Sequence, residues 1–185
     1  MIRNMYHVFK QVISPELCKL LKKEVDRYAK KQHKKTLQRL VNLSKVKLKT
    51  LSQLLQPALQ EIKTKLELPI TLSNVVTVTK RTTSIGWHVD QYISKEIVYK
   101  CFLQLSDRGR TRVYDSALGK VVTIKLERGD VFMFSMDMIH SGGPSKQCKY
   151  LLGFRPRIKD GNYTRKQYEK HRCTLNELLW TNVLN

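Results

Sequence analysis

The chain has 185 residues, 41% of them hydrophobic and 8% aromatic, a composition that suits one globular domain with a real core and excludes a disordered chain. Its longest apolar runs, such as VFMF at 131–134, are of strand length, and the opening MIRNMYH has neither the apolar core nor the cleavage site of a signal peptide, so an intracellular protein of cytoplasm or nucleus with no membrane span is expected. Thirty-five Lys and Arg against 15 Asp and Glu give a formal net charge of +20, far beyond what solubility needs, which points to a polyanionic partner such as nucleic acid.

The first elements read as helices. Ser14-Pro15 supplies an N-cap followed by proline at the first helical position, and Leu17, Leu20, Leu21, Val25 and Tyr28 recur at helical spacing. Between residues 19 and 49 twelve basic residues face only Glu24 and Asp26. This stretch is either a surface for a polyanion or a solvated lysine-rich face, and its part from 33 to 49 is either a loop or a basic helix. A second apolar stripe, Leu51, Leu54, Leu55, Ala58, Leu59, Ile62 and Leu66, predicts another helix, with Pro57 starting or kinking it.

From residue 68 the period changes. Residues 75–79, 97–105, 111–114, 120–126, 131–135 and 149–154 are rich in Val, Ile, Thr and aromatics and are separated by short polar or Gly-bearing turns. Evenly spaced strands without intervening helices favour an antiparallel sandwich or barrel over a βαβ fold. A capping box at 174–177 followed by Leu175, Leu178, Leu179 and Val183 predicts a last helix. One domain over 1–185 is expected, mainly β with flanking helices (α+β): a helical lead-in over about 1–68, a jelly-roll-like β core over about 70–158 and a C-terminal helical tail over about 160–185. The four cysteines, Cys18, Cys101, Cys148 and Cys173, form no C-x-x-C pair, which argues against a zinc ribbon and for reduced thiols, with Cys101 and Cys148 as small core residues.

Chemistry concentrates in three places. In SIGWHVDQY (84–92), His88 and Asp90 stand two apart, so on a strand both side chains leave from one face. His140 follows the strand introduced by the turn Arg128-Gly129-Asp130 and precedes Gly142-Gly143. Two imidazoles and a carboxylate form a facial triad that leaves adjacent positions open on Fe(II). In KYLLGFR (149–155) Lys149, Leu151, Gly153 and Arg155 share a face at period two, which offers two cationic groups for an anionic ligand. His7, His33 and His171 lack ligand-spaced partners and read as surface residues. Trp87 reads as a wall of the core or pocket rather than a stacking platform. Arg108, Arg110 and Arg112 alternate on one side of a strand, lining either a substrate groove or a solvated edge.

Taken in order, His88-x-Asp90, Gly129-Asp130, His140 and the basic strand after it resemble the 2-oxoglutarate- and Fe(II)-dependent dioxygenases. FKQVISPELCKLL (9–21) also resembles the lead-in of their prolyl-hydroxylase-like branch. The likeness runs over roughly 9–157. It implies a double-stranded β-helix core and an enzyme using Fe(II), 2-oxoglutarate and O₂, with ascorbate in support. His88, Asp90 and His140 would be the iron ligands. Lys149 would anchor the distal carboxylate of 2-oxoglutarate, and Arg155 matches a second arginine kept by the AlkB-type nucleic-acid demethylases. The family's first-strand tyrosine is missing from NVVTVT (74–79), leaving Tyr92, Tyr99 and Tyr114 as alternatives for that hydroxyl, with Tyr99 taken as the cosubstrate contact. The usual mid-barrel Gly-Gly-x-Thr is replaced by RGRTRVY (108–114). Candidate substrate contacts are Tyr92, Arg110, Arg112 and Trp87. The expected reaction is hydroxylation or oxidative demethylation, of nucleic acid by the charge, or of a prolyl or lysyl side chain in a protein by the lead-in. A catalytically silent nucleic-acid-binding module on the same fold is the third reading.

Overall fold

The computed structural model describes residues 6–31, 37–42, 45–66, 71–81, 84–90, 99–136, 138–143 and 149–157. In chain order they form β1 (Tyr6–Phe9), α1 (Pro15–Lys31), β2 (Leu37–Asn42), α2 (Lys45–Leu66), β3 (Thr71–Arg81), β4 (Ile85–His88), β5 (Tyr99–Gln104), β6 (Arg108–Asp115), β7 (Lys120–Glu127), β8 (Val131–Ser135), β9 (His140–Gly142) and β10 (Lys149–Arg157). The strands make two antiparallel sheets, a six-stranded one ordered β1-β8-β5-β10-β3-β2 and a four-stranded one ordered β4-β9-β6-β7. No described helix is long and apolar enough to cross a membrane.

Alternation along β5 and β8 builds the layers. Cys101, Leu103, Val131 and Met133 turn to one side and pack with Phe9, Ile13, Cys18 and Leu21 and with Leu55, Ala58, Leu59 and Ile62 of α2. Phe132 and Phe134 turn to the other side and meet Val113, Ile124 and Leu126 of the smaller sheet, with Phe102 beside them. The large sheet is therefore sandwiched between the helices and the small sheet. Its strand β8, buried on both faces over residues 131–134, reads as a continuous apolar run rather than alternation.

The helix signals hold at their caps and shift in their faces. Ser14 Oγ accepts from the Leu17 backbone N–H at 3.3 Å, as an N-cap does. The buried face of α1 is Cys18 and Leu21, however, and Leu20 is 52% exposed. Pro57 neither starts α2 nor sits against the core. It lies on the exposed side of the helix interior, and the carbonyl of Gln53 that its missing N–H would have served lies on the same exposed side, where water can satisfy it. The stretch between the helical stripes is not a loop or a helix throughout. Residues 37–42 form β2, an edge strand paired antiparallel with β3 from Leu37↔Lys80 to Asn42↔Val75, and α2 begins at Lys45. The lead-in is thus not purely helical, since β1 and β2 close the two edges of the large sheet. Cys18 and Cys101 are buried free thiols. The predicted C-terminal helix and Cys148 and Cys173 lie outside the described residues.

The start of the chain is locked to the turn before β8 by one carboxylate. Asp130, fully buried, accepts from Lys10 Nζ at 2.7 Å and from the backbone N–H groups of Gln11 and Glu127 at 2.9 Å each. Burial alone would raise its pKa, but the bonds from Glu127, Lys10 and Gln11 outweigh it and hold the group below the ordinary carboxylate value. Gly129 next to it has φ +87°, and a Cβ there would run into the Ile13 carbonyl. Gly129→Ala is expected to cost about 1–3 kcal/mol, seen as a melting temperature lowered by roughly 2–4 °C per kcal/mol in thermal denaturation followed by circular dichroism. An unchanged melting temperature would show that the turn relaxes freely.

Candidate metal centre

Strand pairing assembles the site. In the small sheet β4 runs antiparallel to β9 with His88 directly opposite His140, and β9 runs antiparallel to β6 with His140 opposite Val113. Val113 is in the inter-sheet core, so the His140 ring points inward, where it lies 4.7 Å from the Phe134 ring and 4.3 Å from that of His88. A register shift between Ile85 and His88 re-aims the end of β4. The strand stops at His88 and Asp90 lies just past it, so the two ligands do not owe their common direction to a continuous strand. His88, Asp90 and His140 nonetheless come together, with one donor atom from each within 4.8 Å of the others.

The donor chemistry fits a divalent transition metal. His88 Nδ1 lies 2.8 Å from the Gly86 carbonyl and His140 Nδ1 lies 2.9 Å from that of Met138. Donating Nδ1–H to these carbonyls leaves each Nε2 with its lone pair for a metal, the usual outer-shell arrangement of metal-binding histidines. His140 Nε2 is 3.8 Å from Asp90 Oδ2. Burial, more than the repulsion from His88 and Lys100, lowers the His140 pKa from 6.5 to about 4 against the opposing pull of Asp90 and the Met138 carbonyl. The ring is therefore neutral, and able to bind metal, well below neutral pH.

Lys100, which the sequence reading did not select, completes the centre. It lies on β5 and is 6% exposed, against 9% for Asp90. Its Nζ donates to both Asp90 oxygens, at 2.8 and 2.7 Å, and lies 4.6 Å from the centroid of the Phe102 ring. Burial would raise the Asp90 pKa, but Lys100 first, then His140 and His88, more than reverse this and lower it. The available signal was a lysine inside the apolar run IVYKCFL (97–103), since a charge in a strand of this kind needs a buried partner.

Other candidates are placed elsewhere. Tyr99 packs with the helical layer, one residue out of phase with Lys100, so it is on the opposite face of the large sheet from the ligands and does not join them. Arg110 and Arg112 are exposed, and Val113 between Arg112 and Tyr114 is buried. They line the outer face of the small sheet, away from the metal ligands. Trp87 packs against Ile139 with Val89 and Tyr114, and the Arg112 guanidinium lies 5.0 Å from its ring. It is thus a wall of the small core around Ile139, as one of the two readings of its sequence has it. His7 is not a surface residue, because it is partly buried beside Phe9 and burial lowers its pKa. Lys149 and Arg155 are placed by backbone only. Lys149 opens β10 opposite Arg81, and Arg155 falls where the register with β3 shifts, between Phe154 and Pro156. Tyr92, His33 and His171 lie outside the described residues.

No protein-family model matches the sequence, and no curated protein sequence matches it. Solved structures do match. A Pseudomonas putida prolyl-4-hydroxylase is 15% identical, with a TM-score of 0.61 over 84% of this chain and 94% of its own. A prolyl hydroxylase from Trichoplax adhaerens, solved with a hypoxia inducible factor oxygen degradation domain peptide, is 13% identical, with a TM-score of 0.63 over 93% of this chain and 87% of its own. The epimerase SnoN, solved with Fe3+, alpha ketoglutarate and nogalamycin RO, is 13% identical, with a TM-score of 0.62 over 84% and 80%. At these identities the likeness establishes a shared fold, one on which non-haem iron enzymes using 2-oxoglutarate are built.

The His140 shift gives stability a definite pH dependence. As pH falls through 6.5 the unfolded chain takes up a proton at this residue, whereas the folded protein resists until about 4. Stability present above 6.5 is therefore lost progressively toward 4. Urea denaturation of metal-free protein across that interval should show this decline, and His140→Leu should flatten it. Equal slopes for the two proteins would remove His140 as the cause.

Proposed function

We propose that this protein is an Fe(II)- and 2-oxoglutarate-dependent oxygenase. The reading is carried by the two Nδ1-anchored imidazoles and the carboxylate gathered within 4.8 Å in a fold shared with such enzymes. The passage of the chain back and forth between the sheets, with β3, β5, β8 and β10 in one and β4, β6, β7 and β9 in the other, supports a double-stranded β-helix core. His88 and His140 would offer Nε2 and Asp90 a carboxylate oxygen. Iron held there would supply oxygen activation coupled to decarboxylation of 2-oxoglutarate. Phe134 against His140 and Phe102 beneath Lys100 keep water from the inner side of the ligands. Lys149 is assigned the distal carboxylate of 2-oxoglutarate, with Arg155 as the second cation of that strand and Tyr92 as a contact for substrate.

Two substrate classes each have an observation behind them. The net charge of +20 favours a nucleic acid, held through several phosphates and so with strongly salt-dependent affinity. The likeness to prolyl hydroxylases, one of them solved with a peptide, favours a polypeptide side chain. Anaerobic titration with Fe(II) and 2-oxoglutarate is expected to produce a metal-to-ligand charge-transfer band that His140→Ala abolishes. Failure of the native protein to bind either would leave the silent-module reading. Succinate release screened over methylated oligonucleotides and Pro- or Lys-containing peptides assigns the substrate, and a salt-insensitive or absent affinity for DNA and RNA would remove the first class.

A further inference from the structure

We propose that Lys100 is an internal rival of the metal: its ammonium holds the Asp90 carboxylate in competition with the divalent ion, so that the site binds metal weakly until an anionic chelating ligand arrives. The inference rests on the oxygenase reading and adds to it a residue that sets how metal and cosubstrate depend on each other.

Three observations carry it. First, Nζ lies 2.8 and 2.7 Å from the two Asp90 oxygens, at nearly equal distance from both, where a cation chelated by that carboxylate would itself sit. A metal that approaches Asp90 from that side must displace the ammonium, and one that takes another lone pair of the carboxylate must sit within a few ångströms of it. Second, both partners are withdrawn from water, with side chains 8% and 11% exposed. Repulsion between an ammonium and a divalent ion a few ångströms apart is then poorly screened. Third, Lys100 is held from behind by the Phe102 ring at 4.6 Å, an arrangement that favours keeping the cation in place.

Charge fixes the consequence. Two neutral imidazoles, one carboxylate and a divalent ion leave a single positive charge, and the ammonium raises it to two. With the distal carboxylate of 2-oxoglutarate assigned to Lys149, the ammonium of Lys100 still attracts the chelating end of the dianion while it repels a divalent ion that arrives alone. Lys100 thus opposes metal alone and favours metal together with a dianion. Reciprocity requires that the dianion strengthen metal binding by the same factor by which metal strengthens the dianion. The same ion pair also keeps Asp90 from being stranded in the interior before metal binds.

The test measures metal affinity directly. Mn(II), in place of Fe(II), is titrated calorimetrically and by electron paramagnetic resonance into native protein, Lys100→Met and Lys100→Gln, with and without 2-oxoglutarate. Without 2-oxoglutarate both variants should bind Mn(II) on the order of tenfold more tightly than the native protein. Their gain in affinity on adding 2-oxoglutarate should be smaller, and the rise in melting temperature caused by Mn(II) alone should be larger. Lys100→Gln keeps an N–H donor, so it separates charge from hydrogen bonding. Should neither variant fold, the native protein still decides the matter, because Zn(II) should shift the NMR signal of the Lys100 Nζ as the ion pair with Asp90 opens. Variants that bind Mn(II) no better or worse than native protein, or a Lys100 signal unmoved by bound Zn(II), would overturn the proposal and leave Lys100 as a support that orients Asp90. Tighter Mn(II) binding by the variants with no effect of 2-oxoglutarate on any of the proteins would uphold the rivalry and sink the oxygenase reading instead.

Discussion

A carboxylate taken out of water must be matched by positive charge or by hydrogen-bond donors, and the centre of this protein is arranged around that requirement at Asp90. Its oxygens receive the Lys100 ammonium and face the His140 imidazole, and no apolar packing could substitute for these partners. Everything else about the site follows from bringing them to one point. β5 must run through the large sheet with Lys100 turned inward, β9 must lie beside β4 with its histidine opposite His88, and the sheets must close where Phe132 and Phe134 meet Val113, Ile124 and Leu126. A slip of one residue in β5 would turn Lys100 into the helical layer and strand the carboxylate.

The same device recurs at Asp130 for a different purpose. There a buried carboxylate gathers backbone N–H groups from the chain's first turn and from the turn before β8, with Lys10 as the cation. The Lys10 side chain is 61% exposed, so the pair contributes little by Coulomb attraction, and the backbone bonds to a buried carboxylate carry the weight. Asp90 has the reverse construction, in which a buried ammonium supplies what backbone donors supply at Asp130. The first arrangement fixes a turn permanently. The second can be exchanged for another cation, which is what a metal ligand requires.

How much of this could be read in the sequence depended on the range of the interaction. Strand spans such as Val131–Ser135 were visible because β-branched and aromatic runs sit between turn signals. The grouping of His88, Asp90 and His140 is legible because histidine and aspartate announce themselves by type, whereas the single strand expected to carry the first two ends at His88. Periodicity places Leu17, Leu20 and Leu21 on one face, and Leu17 and Leu21 do pack on the core, but Leu20 is exposed and Cys18 is buried, since the direction of a helix face is set by its neighbours. Residues 37–42 gave no strand signal through their basic surroundings, because pairing with β3 rather than local preference holds them extended. Lys100 was hidden for a related reason: its partner is ten positions away across the sandwich, and nothing in a strand's own pattern names the charge it will meet.

The separation of faces also constrains what the positive charge can do. Arg108, Arg110 and Arg112 project from the outer side of the small sheet, whereas His88 and His140 belong to its inner side. A polyanion lying flat on that arginine row has the thickness of the sheet between it and the metal ligands. What a row of this kind can do is raise the local concentration of an anionic macromolecule and speed encounter, an effect that decays over about 8 Å at physiological ionic strength. Any ligand that reaches His88, Asp90 and His140 must then be met by groups on the inner side of the sheet. There the fixed charges described are the ammonium of Lys100 and the carboxylate it holds, and both are engaged with each other and with the metal site. Beside that pair stand the rings of Phe134, 4.7 Å from that of His140, and of Phe102, 4.6 Å from the Lys100 ammonium, so among the described residues the charge at the centre is this ion pair and the arginine row is no part of it.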